Sequence, residues 1–371
     1  ARIDEIRETH LSLSQPGRAE APEDQPVIVQ FTHGVHGAEA SGYDAAVGIL
    51  YHLAAAQDDA TRRLLEETVL HQVILINPDG AHRFSTNVNR HRAARPVADP
   101  QHAEHDAGYG RQNHYGFDIN RQWIPVTQPE ARALVRSTHE WLPHLAVDFH
   151  EMGTDTTYFF SPGPLDQLHP LLSPEGFALN QRINEEVEAR FNREGTLYVS
   201  EEFFDDFYLG YGSSYPGLLG GVAYLLEQSS ARGLVQESVN GLARYDLKIA
   251  GQVHAGLALV RSAHQRRAEM IAFQRDFANE TRRRAEQDEF FGFVFRSDDR
   301  GRLADFIDML QVHEVDVHRL ARDARFGGVD FPAGDSFIVP LDQPVYRVIR
   351  GLFETRIVTE ETRFYDVSGW T

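Results

Sequence analysis

PVIVQFTHGVHGAEASGYDAAVGILYHLAA, residues 26–55, decides the fold class. Its first eight residues form a short apolar run rich in β-branched side chains, as in a buried strand. From Ala38 to Ala55 the apolar residues recur with helical spacing. A strand therefore runs into a helix through His33-Gly-Val-His36-Gly-Ala-Glu39. The alternation repeats along the chain. VLHQVILIN (69–77) is a second buried strand, stopped by the turn signal Pro78-Asp79-Gly80. HLAVDFH (144–150) and GVAYLLEQ (221–228) are a third and a fourth. Pro129 opens a helix to about Leu142, another helix lies within 165–195, and a helical stretch runs from about Leu234 to Glu286 with a break expected near Gly251. Apolar strands alternating with helices predict an α/β fold, a mostly parallel mixed sheet with helices on both faces. Ligands of such sheets bind at the carboxyl ends of the strands. His33, His36, His150 and Glu227 fall there.

After Glu286 the pattern restarts, with FFGFVFRS, EVDVHRL and SFIVPL as strands and GRLADFIDMLQ and PVYRVIRGLFE as helices. The chain is expected to divide into residues 1–285 and a small C-terminal α/β unit, 286–371, that supplies no catalytic group. Residues 80–125 are rich in Arg, His, Asn and Gly and lack sustained periodicity. They are expected to form a long polar loop, a feature that is usually functional inside a compact domain.

Composition narrows the chemistry. There is no cysteine, so disulfides and thiolate ligands are excluded and a metal site must use His, Asp and Glu. The formal net charge of -19 argues against a nucleic-acid partner, because binding phosphates requires positive charge. No apolar run approaches the roughly 20 residues of a membrane span. The first residues are charged and lack the apolar core of a signal peptide. The chain starts at Ala1, so either a leader was removed or the chain was trimmed; a removed leader would point to secretion or the periplasm.

Five segments carry candidate chemistry. His36 and Glu39, three apart between a strand and a helix, can face one point, and both side chains suit zinc. In Asp148-Phe-His150-Glu151 the alternation puts Asp148 and His150 on one face. Asn77-Pro-Asp-Gly80 precedes Arg83, Arg90 and Arg92. Asp118-Ile-Asn120-Arg121-Gln-Trp123 contains an Asn-Arg pair able to fork onto a carboxylate. Glu227 follows an apolar run, where burial would raise its pKa toward that of a useful base.

In order and spacing, HGAE (36–39), NPDG (77–80), DINRQW (118–123), DFHEMG (148–153) and AYLLEQSS (223–230) resemble the zinc carboxypeptidase family. The resemblance covers about residues 26–262. It implies one zinc ion held by His36, Glu39 and His150; His33 is not expected to be a ligand despite its spacing from His36, because both could not point at one ion from the end of the strand and His36 alone has the Glu partner. It further implies Asp118 behind the first histidine, Glu227 as the base, and Asn120 and Arg121 on the substrate's terminal carboxylate. For the arginine that polarises the scissile carbonyl it implies Arg92, with Arg90 second. The family's mobile tyrosine falls by strict spacing on Phe207, leaving Tyr208 or Tyr211 for that role. The residue at the base of the side-chain pocket is expected near Ser214 and Tyr215.

The function so implied is hydrolysis of the C-terminal peptide bond of peptides by metal-activated water. Rivals are a zinc amidase or deacylase of the same fold, acting on peptidoglycan-type peptides or N-acyl amino acids, and a non-catalytic peptide-binding module.

Overall fold

A computed structural model describes residues 2–17, 22, 24–106 and 110–355. The chain begins with α1 (Arg2–Leu13), β1 (Val27–His33), α2 (Ala40–Ala55), α3 (Asp59–Glu67), β2 (Thr68–Val73), α4 (Pro78–His91) and α5 (Pro129–Trp141). It continues through β3 (Leu145–Met152), β4 (Tyr158–Phe160), α6 (Pro174–Glu194), β5 (Tyr198–Val199) and β6 (Val222–Ser229). A hairpin, β7 (Val235–Ser238) and β8 (Gly241–Arg244), leads into α7 (Tyr245–Gln265) and α8 (Arg267–Gln287). The C-terminal unit holds β9 (Gly292–Phe295), α9 (Arg300–Val312), β10 (His318–Arg319), β11 (Ala324–Phe326), β12 (Val329–Phe331), β13 (Phe337–Pro340) and α10 (Tyr346–Phe353).

Six strands form the central sheet in the order β2-β1-β3-β6-β4-β5. Neighbours from β2 to β6 are parallel, and β4 turns antiparallel against β6. This is the mostly parallel mixed sheet that the alternating pattern predicts. Side chains alternate between its faces. Val29 and Phe31 of β1, Val147 and Phe149 of β3, and Tyr224 and Leu226 of β6 join one apolar cluster with Ile49 of α2, Ile183 of α6 and Leu259 of α7. Burying each of these side chains contributes roughly 1.5–3 kcal/mol. The opposite face meets α5, where Gln30 Nε2 donates to Thr138 Oγ1 at 3.1 Å. Asp148, His150 and Glu227 share the parity of Gln30 and so belong to that face.

Three local expectations change. Residues 78–91 are a helix rather than part of a loop. Asn77 caps it, its side chain accepting from the Gly80 amide, and Pro78 occupies the first turn. A capping Asn followed by Pro is a helix start as well as a turn signal. The stretch from Leu234 opens with a hairpin, and the helix break falls at Arg266 rather than Gly251. Gly251 lies inside α7, and Gln228 Oε1 fills the space that a Cβ there would need. The expected strand EVDVHRL is reduced to His318–Arg319.

The C-terminal unit has its own antiparallel sheet, β10-β13-β9. Its apolar residues nevertheless pack outward. Leu310, Val312, Val339, Val348 and Ile349 form one cluster with Trp123, Leu134, Val135, Tyr215 and Leu218. The division at 286 therefore separates sheets but not hydrophobic cores, and residues 356–371 of the expected unit lie outside the described residues.

Helix α1 is held against the end of α5 by Arg7, paired with Glu140, and by the buried His10. Leu142 ends α5 in a left-handed turn at φ 38, and its carbonyl accepts from His10 Nε2 at 2.8 Å and Gln274 Nε2 at 3.0 Å. His10 is buried, and desolvation lowers its pKa to about 4 against the contribution of that bond. The folded state then excludes a proton that the unfolded state binds below pH 6.5, so this stability is present above 6.5 and is lost as pH falls toward 4. His10→Gln keeps the donor and removes the titration. Between pH 6.5 and 4 the unfolding free energy of the parent should fall relative to His10→Gln by about 1.4 kcal/mol per pH unit. Urea melts of the two proteins measure it, and parallel pH profiles would refute it.

Candidate metal centre and substrate site

Glu39 sits at the N-cap position of α2 yet makes no capping bond with its side chain. Glu151 takes that task instead, accepting from the Ser41 amide at 3.0 Å and from the Ser41 hydroxyl. The Glu39 carboxylate is thereby free to turn inward. Its Oε1 lies 2.7 Å from His36 Nδ1 and its Oε2 lies 2.8 Å from His150 Nδ1. His36, Glu39 and His150 are buried and form a group able to hold one metal ion.

The far nitrogens of both rings are also engaged. His36 Nε2 meets Asp118 Oδ1 at 3.0 Å. His150 Nε2 lies 2.8 Å from Asp148 Oδ2, with Asn120 Nδ2 at 3.3 Å. Carboxylates behind both imidazoles orient each Nδ1 toward Glu39, the arrangement typical of metal-bound histidines. Two imidazole nitrogens and one carboxylate suit zinc and leave a coordination position open. The donor set therefore fits the ion.

Electrostatics follow the same geometry. Burial alone would lower His36 and His150, but the surrounding carboxylates overcome it and raise both, His150 well above its ordinary value. Burial alone would raise Glu39 and Asp118, yet the two histidines hold Glu39, and His36 with Arg111 holds Asp118, far below the usual carboxylate range.

Glu227 stands beside the group. In the parallel pairing of β3 with β6, His150 and Glu227 are direct partners, and β4 closes its other side through Phe159. No hydrogen bond engages its side chain among the described residues. Burial raises it to about 8, with Glu39 and Asp148 adding to the shift and His150 opposing it.

Asn77 holds the first ligand loop. Its Nδ2 donates to the carbonyls of Val35 and Arg111, each at 3.2 Å. This clasp brings in Arg111, which the sequence reading passed over. Arg111 Nε and Nη2 reach Asp118 Oδ2 at 2.9 and 2.7 Å, and Nη1 lies 3.3 Å from His36 Nδ1. Its side chain is 43% exposed, so it borders the group from the open side. Its signal in the sequence is its position seven residues before Asp118, in the same segment as the Asn-Arg pair. Arg92 is exposed at the end of α4 and makes no bond to the group among the described residues. Arg90 is likewise exposed on α4.

Arg121 stacks on Tyr211, its guanidinium carbon 4.7 Å from the ring centre. Tyr208 donates its hydroxyl to the Arg121 carbonyl at 3.0 Å. Asn120 Oδ1 accepts from the Gly212 amide at 3.0 Å, so its amide ties the 208–215 loop to His150. A Cβ at Gly212 would collide with Asp148 Oδ2. His33 faces away, its ring 4.1 Å from that of Phe149 and its Nε2 3.1 Å from Gln72 Nε2; it is not a member of the group. On the far side of Ala38 and Ala40 lies a cavity of about 300 Å3, walled by Tyr43, Phe84, Val88 and Tyr245, with Arg92 and Arg232 also lining it.

Residues 9–162 match the family model for zinc carboxypeptidase. That segment is similar to zinc carboxypeptidases. The matched segment contains all three residues of the metal group, together with Arg111, Asp118 and the Asn-Arg pair; Glu227 and the 208–215 loop lie beyond it. Among solved structures, a metallo-carboxypeptidase from Burkholderia cenocepacia is similar at 17% identity, over 66% of this chain and 59% of that one, with a TM-score of 0.47. A metallo-carboxypeptidase from Pseudomonas aeruginosa, in complex with (2-guanidinoethylmercapto)succinic acid, gives 18%, 72% and 69%, and 0.46. Carboxypeptidase A from Helicoverpa armigera gives 13%, 68% and 62%, and 0.42. The chain thus spans about 59% of the length of the Burkholderia protein. No curated protein matches the sequence.

Both histidines must surrender the Nδ1 proton to bind an ion, so metal affinity and protonation compete. Zinc affinity should strengthen as pH rises from 6 to 8, with up to two protons released per ion. His150→Ala should abolish stoichiometric zinc. Chelator competition and metal analysis check this; a pH-independent affinity, or full occupancy in His150→Ala, would discard the ligand assignment.

Proposed function

We propose that this chain is a zinc-dependent carboxypeptidase that hydrolyses the C-terminal peptide bond of peptides. The observation carrying the reading is the convergence of His36 Nδ1, Glu39 and His150 Nδ1, with the carboxylate of Glu227, which has no hydrogen bond among the described residues, in register beside His150. His36, Glu39 and His150 would hold the ion, which when bound supplies Lewis-acid activation of water and of the scissile carbonyl.

The remaining roles belong to protein groups. Glu227, raised to about 8 by burial, takes a proton from the attacking water and returns it to the leaving amine. Arg111, on the open side of the group, donates hydrogen bonds to the carbonyl oxygen as negative charge develops there. This role passes to Arg111 from Arg92 because Arg111, unlike Arg92, reaches His36 and Asp118. Arg121 receives the substrate's terminal carboxylate, while Asn120 holds the loop beneath it. Tyr208 and Tyr211 shape the wall of that pocket. The cavity beside Ala38 and Ala40 accepts an apolar side chain upstream of the scissile bond, against Tyr43, Phe84, Val88 and Tyr245, with Asp44, Glu104, Arg92 and Arg232 also in its lining.

Glu227→Gln preserves size while removing the base. It should retain zinc while kcat falls by roughly 10²–10⁴, the usual scale for general acid–base catalysis. Full activity would remove Glu227 from the mechanism, and loss of zinc would make it a ligand. Arg111→Ala should lower kcat by about 10²–10³, on the scale of a lost oxyanion donor, whereas Arg92→Ala should leave it within about threefold. The opposite ranking would restore Arg92 to the role.

The substrate class is tested by a panel of free-acid peptides, their C-terminal amides, N-acyl amino acids and muropeptides. Free-acid peptides should be cleaved, and faster with an aromatic residue than with alanine before the scissile bond. Cleavage confined to N-acyl amino acids or muropeptides would replace the carboxypeptidase reading with that of an amidase or deacylase.

A further inference from the structure

Tyr215 is fully buried and opens a short helical turn, Tyr215–Leu219. Its hydroxyl lies between two imidazoles, 2.8 Å from His139 Nε2 on α5 and 2.6 Å from His313 Nδ1 at the end of α9. The direction of these bonds follows from the far side of His313. Its Nε2 is 2.9 Å from the Ile124 carbonyl oxygen, which can only accept. Nε2 therefore carries the proton, and in a neutral ring Nδ1 holds the lone pair. Tyr215 donates to His313 and accepts from His139 Nε2. His139 Nδ1 is 3.7 Å from Glu314 Oε2, beyond hydrogen-bond reach. Burial lowers His139 to about 3 and His313 to about 4, so both rings are neutral near pH 7 and the bond directions are fixed.

The chain of contacts then runs into the substrate site. The amides of Ser214 and Tyr215 both donate to the Tyr211 carbonyl, at 3.2 and 3.0 Å, closing one turn. That turn contains Gly212, whose amide donates to Asn120 Oδ1, and begins with Tyr211, whose ring supports Arg121. Fixing the Tyr215 ring therefore fixes both contacts. One of the two histidines that hold it belongs to the C-terminal unit.

We propose that His313 is a positioning residue for substrate recognition: the C-terminal unit clamps the 211–215 turn through Tyr215 and so aims Arg121 at the substrate's carboxylate. The final clause rests on the carboxypeptidase reading; the clamping of the turn does not.

Tyr215→Phe, His313→Leu and His313→Asn in the full chain test it. Tyr215→Phe keeps the ring packed against Trp123, 5.7 Å away, and guards against His313→Leu failing to fold. His313→Asn retains an acceptor near the place of Nδ1. Amide hydrogen exchange over 207–216 should accelerate by about 10-fold or more in the first two variants while the central strands remain protected. With free-acid peptides KM should rise about 3- to 30-fold, a range expected for coupling through a packed network, with kcat within about threefold and zinc content unchanged. With C-terminal amides the variants should match the parent, and His313→Asn should recover most of the free-acid KM. Unchanged exchange over 207–216 overturns the clamp, as does a lowered melting temperature with unaltered KM. Accelerated exchange in the variants of a parent protein that itself cleaves no free-acid peptide upholds the clamp and overturns the carboxypeptidase reading instead.

Discussion

One carboxylate, that of Glu39, gathers the centre. It meets His36 with one oxygen and His150 with the other, joining the exit of β1 to the end of β3. Buried carboxylates are costly unless they are paired and hydrogen-bonded. Glu39 is acceptable because both oxygens find an imidazole, and the imidazoles are acceptable because Asp118 and Asp148 stand behind them. The cost of burial is thus shared around a network, in which Asp148 meets His150 as an ion pair while neither of its oxygens is hydrogen-bonded. Removing one partner from such a network leaves a group unsatisfied, which costs more than a lost contact.

The sheet makes the gathering possible without special loops for each residue. Parity along β3 sends Asp148 and His150 to one face and Phe149 to the core on the other. The parallel register places Glu227 at the level of His150. Glu151, of opposite parity, reaches the start of α2 and supplies the bond that Glu39 does not make. A shift of one residue in the register of β6 would carry Glu227 to the wrong face.

Much of this was legible in the sequence because it depends on short periods. The strand runs, the α/β class and the strand-end placement of His36, His150 and Glu227 all follow from apolar patterning. The failures have specific causes. Residues 78–91 read as loop because Asn-Pro-Asp-Gly also encodes a turn and the helix that follows is largely polar. Gly251 suggested a break because the incoming side chain of Gln228, which requires a glycine there, comes from a distant strand. Arg111 went unread because it lies 34 positions beyond Asn77, whose side chain draws its backbone toward the centre. The shared core of the C-terminal unit was invisible because its partners, such as Trp123 and Tyr215, lie one to two hundred residues away in the chain.

The ligand arrangement also bears on folding. His36 and His150 are separated by 114 positions, and an ion held between them closes that long span of chain. Closing a long loop removes conformational freedom from the unfolded state, and a ligand bound only by the folded state adds its binding energy to stability. In a chain with no cysteine, zinc would thus serve as a removable cross-link between two parallel strands. Loss of metal would then loosen the architecture as well as silence the chemistry.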